Sequence, residues 1–125
     1  FMTRILHNEP ISIYGDGATS RDYTYVKDIV SGIIKAIEYK DKDYDIFNLG
    51  NSSPIKLIDL VRKIEKAIGK EAIIKYEPIQ KGDVPITYAD VSKSKKLLGY
   101  TPKTSLDEGL KIMANWLIDN QNRKK

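Results

Sequence analysis

This sequence predicts an α/β fold of short mixed strands and about four to five helices, and three observations carry that prediction. Apolar residues recur at helical spacing in several long stretches. Between those stretches they alternate at strand spacing. Glycine, proline or a polar turn residue marks each change of period. At 125 residues, 41% hydrophobic and 30% charged, the chain is one domain or part of one, with enough apolar residues for a real core.

Each element has its own signal. Residues 1–8 read as the tail of a helix, with Phe1, Ile5 and Leu6 on one side. Residues 11–14 alternate as a strand, and Gly15-Asp16-Gly17 turns after it. A second extended piece runs through Arg21, Tyr23 and Tyr25, and the two strands are expected to form a small hairpin. Val26, Ile29, Val30, Ile33, Ile34 and Ile37 predict a helix over 26–39 with a wide apolar stripe. The segment 44–49, ending at Gly50, reads as a strand buried on at least one face. Leu57, Val61, Ile64 and Ile68 define a second amphipathic helix, with Gly69 as its C-cap. A short strand over 72–76 leads into a polar loop, 77–87, that holds two prolines. Asp90 suits the N-cap of a short helix ending at Gly99. Ser105-Leu106-Asp107-Glu108 matches a capping box, and the helix it opens carries Leu106, Leu110, Met113 and Leu117 on one face.

One element is awkward. The strand at 44–49 lies between two long amphipathic helices, as in a larger doubly wound sheet, yet this chain offers it few neighbours. A strand needs a partner on at least one edge. The sequence therefore reads as a piece of something bigger, and Phe1, which falls inside a predicted helix, points the same way.

Composition excludes several classes. No apolar run is long enough to span a membrane, and no apolar segment follows Phe1-Met2-Thr3-Arg4 as in a signal peptide. Without cysteine there is no disulfide, thiolate zinc site or cysteine nucleophile, which fits a cytoplasmic protein. The single histidine, His7, excludes a multi-histidine metal site. The net charge of +4 is modest. Part of it lies in the basic tail at 122–125, expected to fray, and the rest is interleaved with acids, as in Lys40-Asp41-Lys42-Asp43. This patterning describes a solvated mixed surface; a nucleic-acid patch requires a one-sided basic stripe.

The candidate binding residues cluster in two stretches. Arg21 lies in a predicted strand among tyrosines, where a guanidinium on rigid backbone suits bidentate capture of a diphosphate. A local surface pair with Asp22 is the plainer alternative. Tyr14 suits stacking on a base or packing within its own domain. Asp83, after Gly82, suits sugar hydroxyls or ordinary turn chemistry. Gln80 suits a phosphate or a sugar oxygen. Tyr23-Thr24-Tyr25-Val26-Lys27 spells Tyr-x-x-x-Lys, but Tyr23 precedes the predicted helix, so the spacing does not place the two side chains on one helical face. No Gly-x-Gly-x-x-Gly follows a strand and opens a helix, and there is no Walker A loop.

Taken in order, Pro10-Ile11-Ser12-Ile13-Tyr14-Gly15-Asp16-Gly17, Arg21-Asp22-Tyr23-Thr24-Tyr25-Val26, Phe47-Asn48-Leu49-Gly50-Asn51, Gln80-Lys81-Gly82-Asp83-Val84-Pro85, Thr87-Tyr88-Ala89-Asp90 and Leu98-Gly99-Tyr100-Thr101-Pro102 form a series. That series resembles the extended short-chain dehydrogenase/reductases, specifically the NAD-dependent nucleotide-sugar epimerases, and among them the UDP-glucuronate 4-epimerases. The resemblance implies that 1–125 is the C-terminal, UDP-sugar-binding region of such an enzyme, with the NAD-binding Rossmann domain outside this chain and the strand at 44–49 orphaned from its sheet. By position it implies Ser12 and Tyr14 at the uracil, Arg21 at the diphosphate with Tyr23 close by, and Asp83 at the ribose. Gln80 stands where many relatives have arginine, and Lys81 departs from the proline usual in glucuronate-type relatives. The activity implied for the whole enzyme is C4 epimerisation through a 4-keto sugar, with NAD carrying the hydride. No catalytic residue, NAD contact or metal ligand is expected within this chain, which is expected to be inactive alone. The partners implied are a UDP-sugar, the missing N-terminal NAD-binding domain, and a homodimer or strand-swapped contact. A dehydratase or decarboxylase of the same superfamily is the neighbouring enzyme reading, and a non-catalytic binding module is the reading from another class.

Overall fold

A computed structural model of the protein describes residues 1–122; of the tail expected to fray at 122–125, Asn122 is the last residue of α5 and 123–125 lie outside the described residues. The elements in order are α1 (Met2–Leu6), β1 (Ile11–Tyr14), β2 (Ser20–Arg21), α2 (Val26–Glu38), β3 (Ile55–Lys56), α3 (Leu57–Ile68), β4 (Ile74–Glu77), β5 (Ile86–Thr87), α4 (Ser92–Leu98) and α5 (Leu106–Asn122). The mixed α/β class and the five helices are as the periodicity predicts.

The strands form two small sheets. β1 pairs with β4 in parallel, Ile11 opposite Ile74 and Tyr14 opposite Glu77. β2 lies between β3, antiparallel, and β5, parallel. The expected hairpin of the first two extended pieces is therefore not formed. Gly17 lies against Ile58, and the turn carries the chain across to a separate sheet.

Two cores hold the unit together. Ile11 and Ile13 point to one side of β1 and are fully buried. They pack with Met2 and Ile5 of α1, Leu60, Val61 and Ile64 of α3, and Leu110 and Ala114 of α5. Gly69 ends α3 in the left-handed region at φ +74°, as its C-cap role requires. Ser105 Oγ accepts the Glu108 N–H at 3.2 Å and caps α5. On α5 the expected apolar face is shifted: Ala114 is buried and Met113 is 51% exposed, because α3 meets the side of the helix that carries Leu110 and Ala114. The second core gathers Val91, Leu98 and Tyr100 with Ala36, Tyr39, Phe47, Leu49 and Ala89. The cap of α4 falls one residue later than expected, at Val91, while the Asp90 carboxylate accepts the Ser92 N–H at 2.9 Å.

The segment 44–49 corrects the sequence reading in part. It joins no ladder among the described residues, because the strands that would flank it are not among them. Its burial still alternates with period two: Asp45, Phe47 and Leu49 are partly covered and Tyr44, Ile46 and Asn48 are exposed. Phe47 meets Tyr39 edge-on at 5.1 Å, and Lys93 sits 5.0 Å from the centre of the Phe47 ring. The segment is thus strand-like on one face and unpaired at its edges.

Helix α2 shows the same incompleteness. Its buried residues are Asp28 and Gly32. Its apolar stripe is largely uncovered, with Val26 64% and Ile37 75% exposed. A side chain at Gly32 has no room, since a Cβ there would lie 2.6 Å from Leu49 and 2.9 Å from Tyr100. Asp28 accepts the Lys103 N–H at 3.1 Å and the Thr104 N–H at 3.0 Å. Burial pushes its carboxyl up, but these donors more than offset that and leave it below the ordinary aspartate value. A depressed carboxyl stabilises the fold above the unfolded-state pKa, about 3.9, and that contribution is lost as pH falls through the folded-state value. Urea denaturation at a series of pH values should therefore show a flatter acid limb in Asp28→Asn than in the unmutated chain. Parallel limbs would remove Asp28 from the acid response.

Candidate functional site

The site is built around β2. Two residues make too little ladder to be stable alone, so Ser20 and Arg21 depend on what flanks them. The Ser20 N–H donates to Pro85 O at 2.8 Å, and Arg21 lies opposite Ile55 on one side and Thr87 on the other. The Arg21 guanidinium is fixed by its neighbours. Nη1 donates to Ser20 O at 2.8 Å and to Val84 O at 2.9 Å, and Nη2 pairs with Asp83 Oδ1. The plainer reading of Arg21, a local pair with Asp22, is thereby replaced: its carboxylate partner comes from the distant loop.

Asp83 is presented by a tight turn. Its N–H donates to Gln80 O at 3.2 Å, and Gly82 adopts φ +87°, a backbone suited to glycine. The Arg21 and Asp83 side chains are 29% and 31% exposed, so the pair is open to a ligand. Tyr23 is half-buried against the first core. Burial raises its phenol, and the nearby Arg21 charge works the other way. Arg21 and Tyr23 both line an open cleft of about 790 Å³ with Asn48, Thr87 and Tyr88.

Ser12 and Tyr14 alternate with the buried Ile11 and Ile13 and so share the outer face of β1. Gly15, next along, packs against Ile79 at the start of the loop that carries Gln80 and Asp83. The structure thus brings Arg21, Asp83 and the Gln80 backbone together, with Tyr23 alongside. Ser12 and Tyr14 are linked to them through this loop and not by a described side-chain contact. Tyr23 precedes α2 as expected; it and Lys27 both border a larger apolar groove of about 910 Å³ between α1, α3 and α5.

The sequence reading missed the residue that fixes the site. The Asp22 carboxylate accepts backbone N–H groups from Asn51 at 3.1 Å, Ser52 at 2.9 Å, Ser53 at 3.1 Å and Ala89 at 3.4 Å. Gly50 makes room for it, since a Cβ there would lie 2.7 Å from Asp22 Oδ2. The buried Tyr100 hydroxyl donates to Gly50 O at 2.9 Å. The available signal is an acid followed by aromatics, Asp22-Tyr23-Thr24-Tyr25, and a separate glycine turn, Asn48-Leu49-Gly50-Asn51, but nothing in the spacing pairs the two.

A family model described as GDP-mannose 4,6 dehydratase matches residues 1–113. The chain belongs to this family of extended short-chain dehydrogenase/reductases. An uncharacterized protein of Methanocaldococcus jannaschii is 51% identical over 122 residues, which is 98% of this chain and 37% of that protein. A UDP-glucuronate 4-epimerase of Thermodesulfobacterium geofontis is 42% identical over 121 residues, 96% of this chain and 37% of the relative. The crystal structure of the UDP-glucuronic acid 4-epimerase from Bacillus cereus in complex with UDP-glucuronic acid and NAD superposes with a TM-score of 0.86 at 31% identity, covering 94% of this chain and 38% of that one. The chain spans about 37% of the length of these curated relatives and corresponds to the C-terminal region of the family's enzymes.

Among the described residues no strand passes through a glycine-rich turn into a helix. No described helix is long and apolar enough to cross a membrane.

Removing the Asp22 carboxylate strands its donors. Asp22→Ala should destabilise the chain by about 3 kcal/mol in urea denaturation, as expected for the loss of several bonds to one charged acceptor. A loss below about 1 kcal/mol would mean that the clip is not what holds β2.

Proposed function

We propose that this chain is the UDP-sugar-binding region of an NAD-dependent nucleotide-sugar 4-epimerase, inactive by itself, in which Arg21 grips the diphosphate beside Tyr23 and Gln80. Asp83 meets the ribose, and Ser12 and Tyr14 line the uracil pocket. One observation carries this reading: Arg21, which lines an open cleft, pairs with Asp83 from far along the sequence, with the guanidinium already oriented by two backbone carbonyls. A cation fixed in advance loses little freedom when it captures an anion, and a carboxylate beside it suits sugar hydroxyls. UDP is the nucleotide of this reading because the Bacillus cereus epimerase it superposes on was crystallised with UDP-glucuronic acid. The description of the family model favours a dehydratase of the same superfamily as the second reading; no residue of this chain separates the two.

The same reading accounts for the uncovered surfaces. The NAD-binding domain of the whole enzyme covers the apolar stripe of α2 and pairs the edge of 44–49, and it supplies the catalytic residues and the cofactor site. Without that domain, the stripe promotes self-association, as a homodimer or a strand-swapped contact. The whole enzyme is cytoplasmic in this reading.

Calorimetric titration with UDP tests the site. Binding by the unmutated chain, weakened more than about tenfold in both Arg21→Ala and Asp83→Ala, is the expected result, given what charged hydrogen bonds contribute. Binding that survives both substitutions would remove the two residues from the site. Size-exclusion chromatography tests the uncovered stripe: self-association that grows with concentration is expected, and a clean monomer at high concentration counts against it.

A further inference from the structure

A guanidinium has five N–H donors. Three of those on Arg21 are engaged: both on Nη1 with the Ser20 and Val84 carbonyls, and one on Nη2 with Asp83. Nε–H and the second Nη2 hydrogen have no partner among the described residues, so two donors remain for an anion. The charge, however, is already offset. Asp83 sets a carboxylate against the cation, so the site presents two unengaged donors with little net attraction for an anion. Asp83 spends Oδ1 on this pair, and Oδ2 has no partner among the described residues.

We propose that Asp83 is a specificity-determining residue that masks the Arg21 cation from bare anions. It admits an anion only when the same ligand carries hydroxyls that Oδ2 can accept from. Inorganic phosphate or pyrophosphate must bind against the carboxylate's repulsion and gains nothing from it. A nucleoside diphosphate meets the same repulsion but recovers it through hydrogen bonds from the sugar to Asp83. Discrimination of this kind comes from penalising the wrong ligand as much as from rewarding the right one. The loop geometry supports the assignment: the turn bond to Gln80 O fixes the Asp83 backbone, and Val84, next in sequence, itself accepts from Arg21. The carboxylate is therefore held at the guanidinium from both sides of its own residue. This inference rests on the nucleotide-site reading above and goes beyond it by assigning Asp83 a role toward ligands that are to be excluded.

The test is calorimetric titration of the unmutated chain, Asp83→Asn, and Arg21→Ala combined with Asp83→Asn, each with pyrophosphate and with UDP. Asparagine keeps the shape of the side chain and removes the charge. Asp83→Asn should bind pyrophosphate about three- to fivefold more tightly, the span expected for releasing a partly exposed ion pair, and bind UDP more weakly. The preference for UDP over pyrophosphate therefore falls by more than that factor. The double variant should lose the gain, which places it at Arg21 and not at other surface cations. Unchanged or weaker pyrophosphate binding in Asp83→Asn overturns the proposal, including when the unmutated chain binds neither ligand, because unmasking a fixed cation must create anion affinity. The reading beneath it fails differently: UDP bound no better than pyrophosphate by the unmutated chain defeats the nucleotide site, whatever Asp83→Asn does to pyrophosphate. Circular dichroism of the variants checks that each is folded, and Asp83→Ala provides a second charge-removing substitution in the same exposed loop.

Discussion

Four backbone N–H groups converge on the Asp22 carboxylate, and this convergence fixes the geometry of everything around β2. The donors come from the turn before β3 and from Ala89, two residues after β5, so both strands that flank β2 are held. A two-residue strand contributes few ladder bonds of its own. An ionised acceptor shared by both neighbours supplies what the ladder lacks, because bonds to a charged group are worth about twice those between neutral ones. Gly50 and Tyr100 belong to the same arrangement: the glycine lets the carboxylate approach, and the tyrosine hydroxyl satisfies the Gly50 carbonyl from inside the second core. Asp28 repeats the device from the first turn of α2, where it gathers the Lys103 and Thr104 N–H groups ahead of α5.

Arg21 and Asp22 are adjacent but do opposite work. Asp22 joins β2 to its own sheet. Arg21 reaches the loop between β4 and β5 and so ties the second sheet to the end of the first. The site is therefore a junction between two small sheets.

How much of this could be read from the sequence follows from how local each signal is. Helices α2, α3 and α5 were legible because period 3.6 accumulates over many residues, and the Gly69 C-cap and the Ser105 cap are set by near neighbours. β3 and β5 were not legible, since two residues carry no period. The segment 44–49 shows the limit from the other side: its alternation was read correctly and its one-sided burial followed, but pairing depends on neighbours that the described residues do not include. On α2 the apolar pattern is carried by valines and isoleucines, while the residues turned inward are the buried Asp28 and Gly32 and the partly buried Ala36, a small and polar stripe at i, i+4 and i+8. Of the site, the ordered motifs pointed to Arg21 and Asp83 through family resemblance. That the two touch, and that Asp22 turns away from Arg21 toward backbone amides, are long-range facts that composition and spacing do not encode.

The bare aliphatic stripe of α2 also bears on how stability changes with temperature. The heat-capacity change of unfolding arises mainly from apolar surface that passes from a dry interior into water. Val26, Val30, Ile33, Ile34 and Ile37 are already exposed in the folded chain and add little to it. The stability curve of this unit is accordingly shallow, with a broad maximum and weak curvature. Any partner that dries the stripe adds a heat-capacity term of its own, so the tightness of that association changes more steeply with temperature than the unit's own folding does.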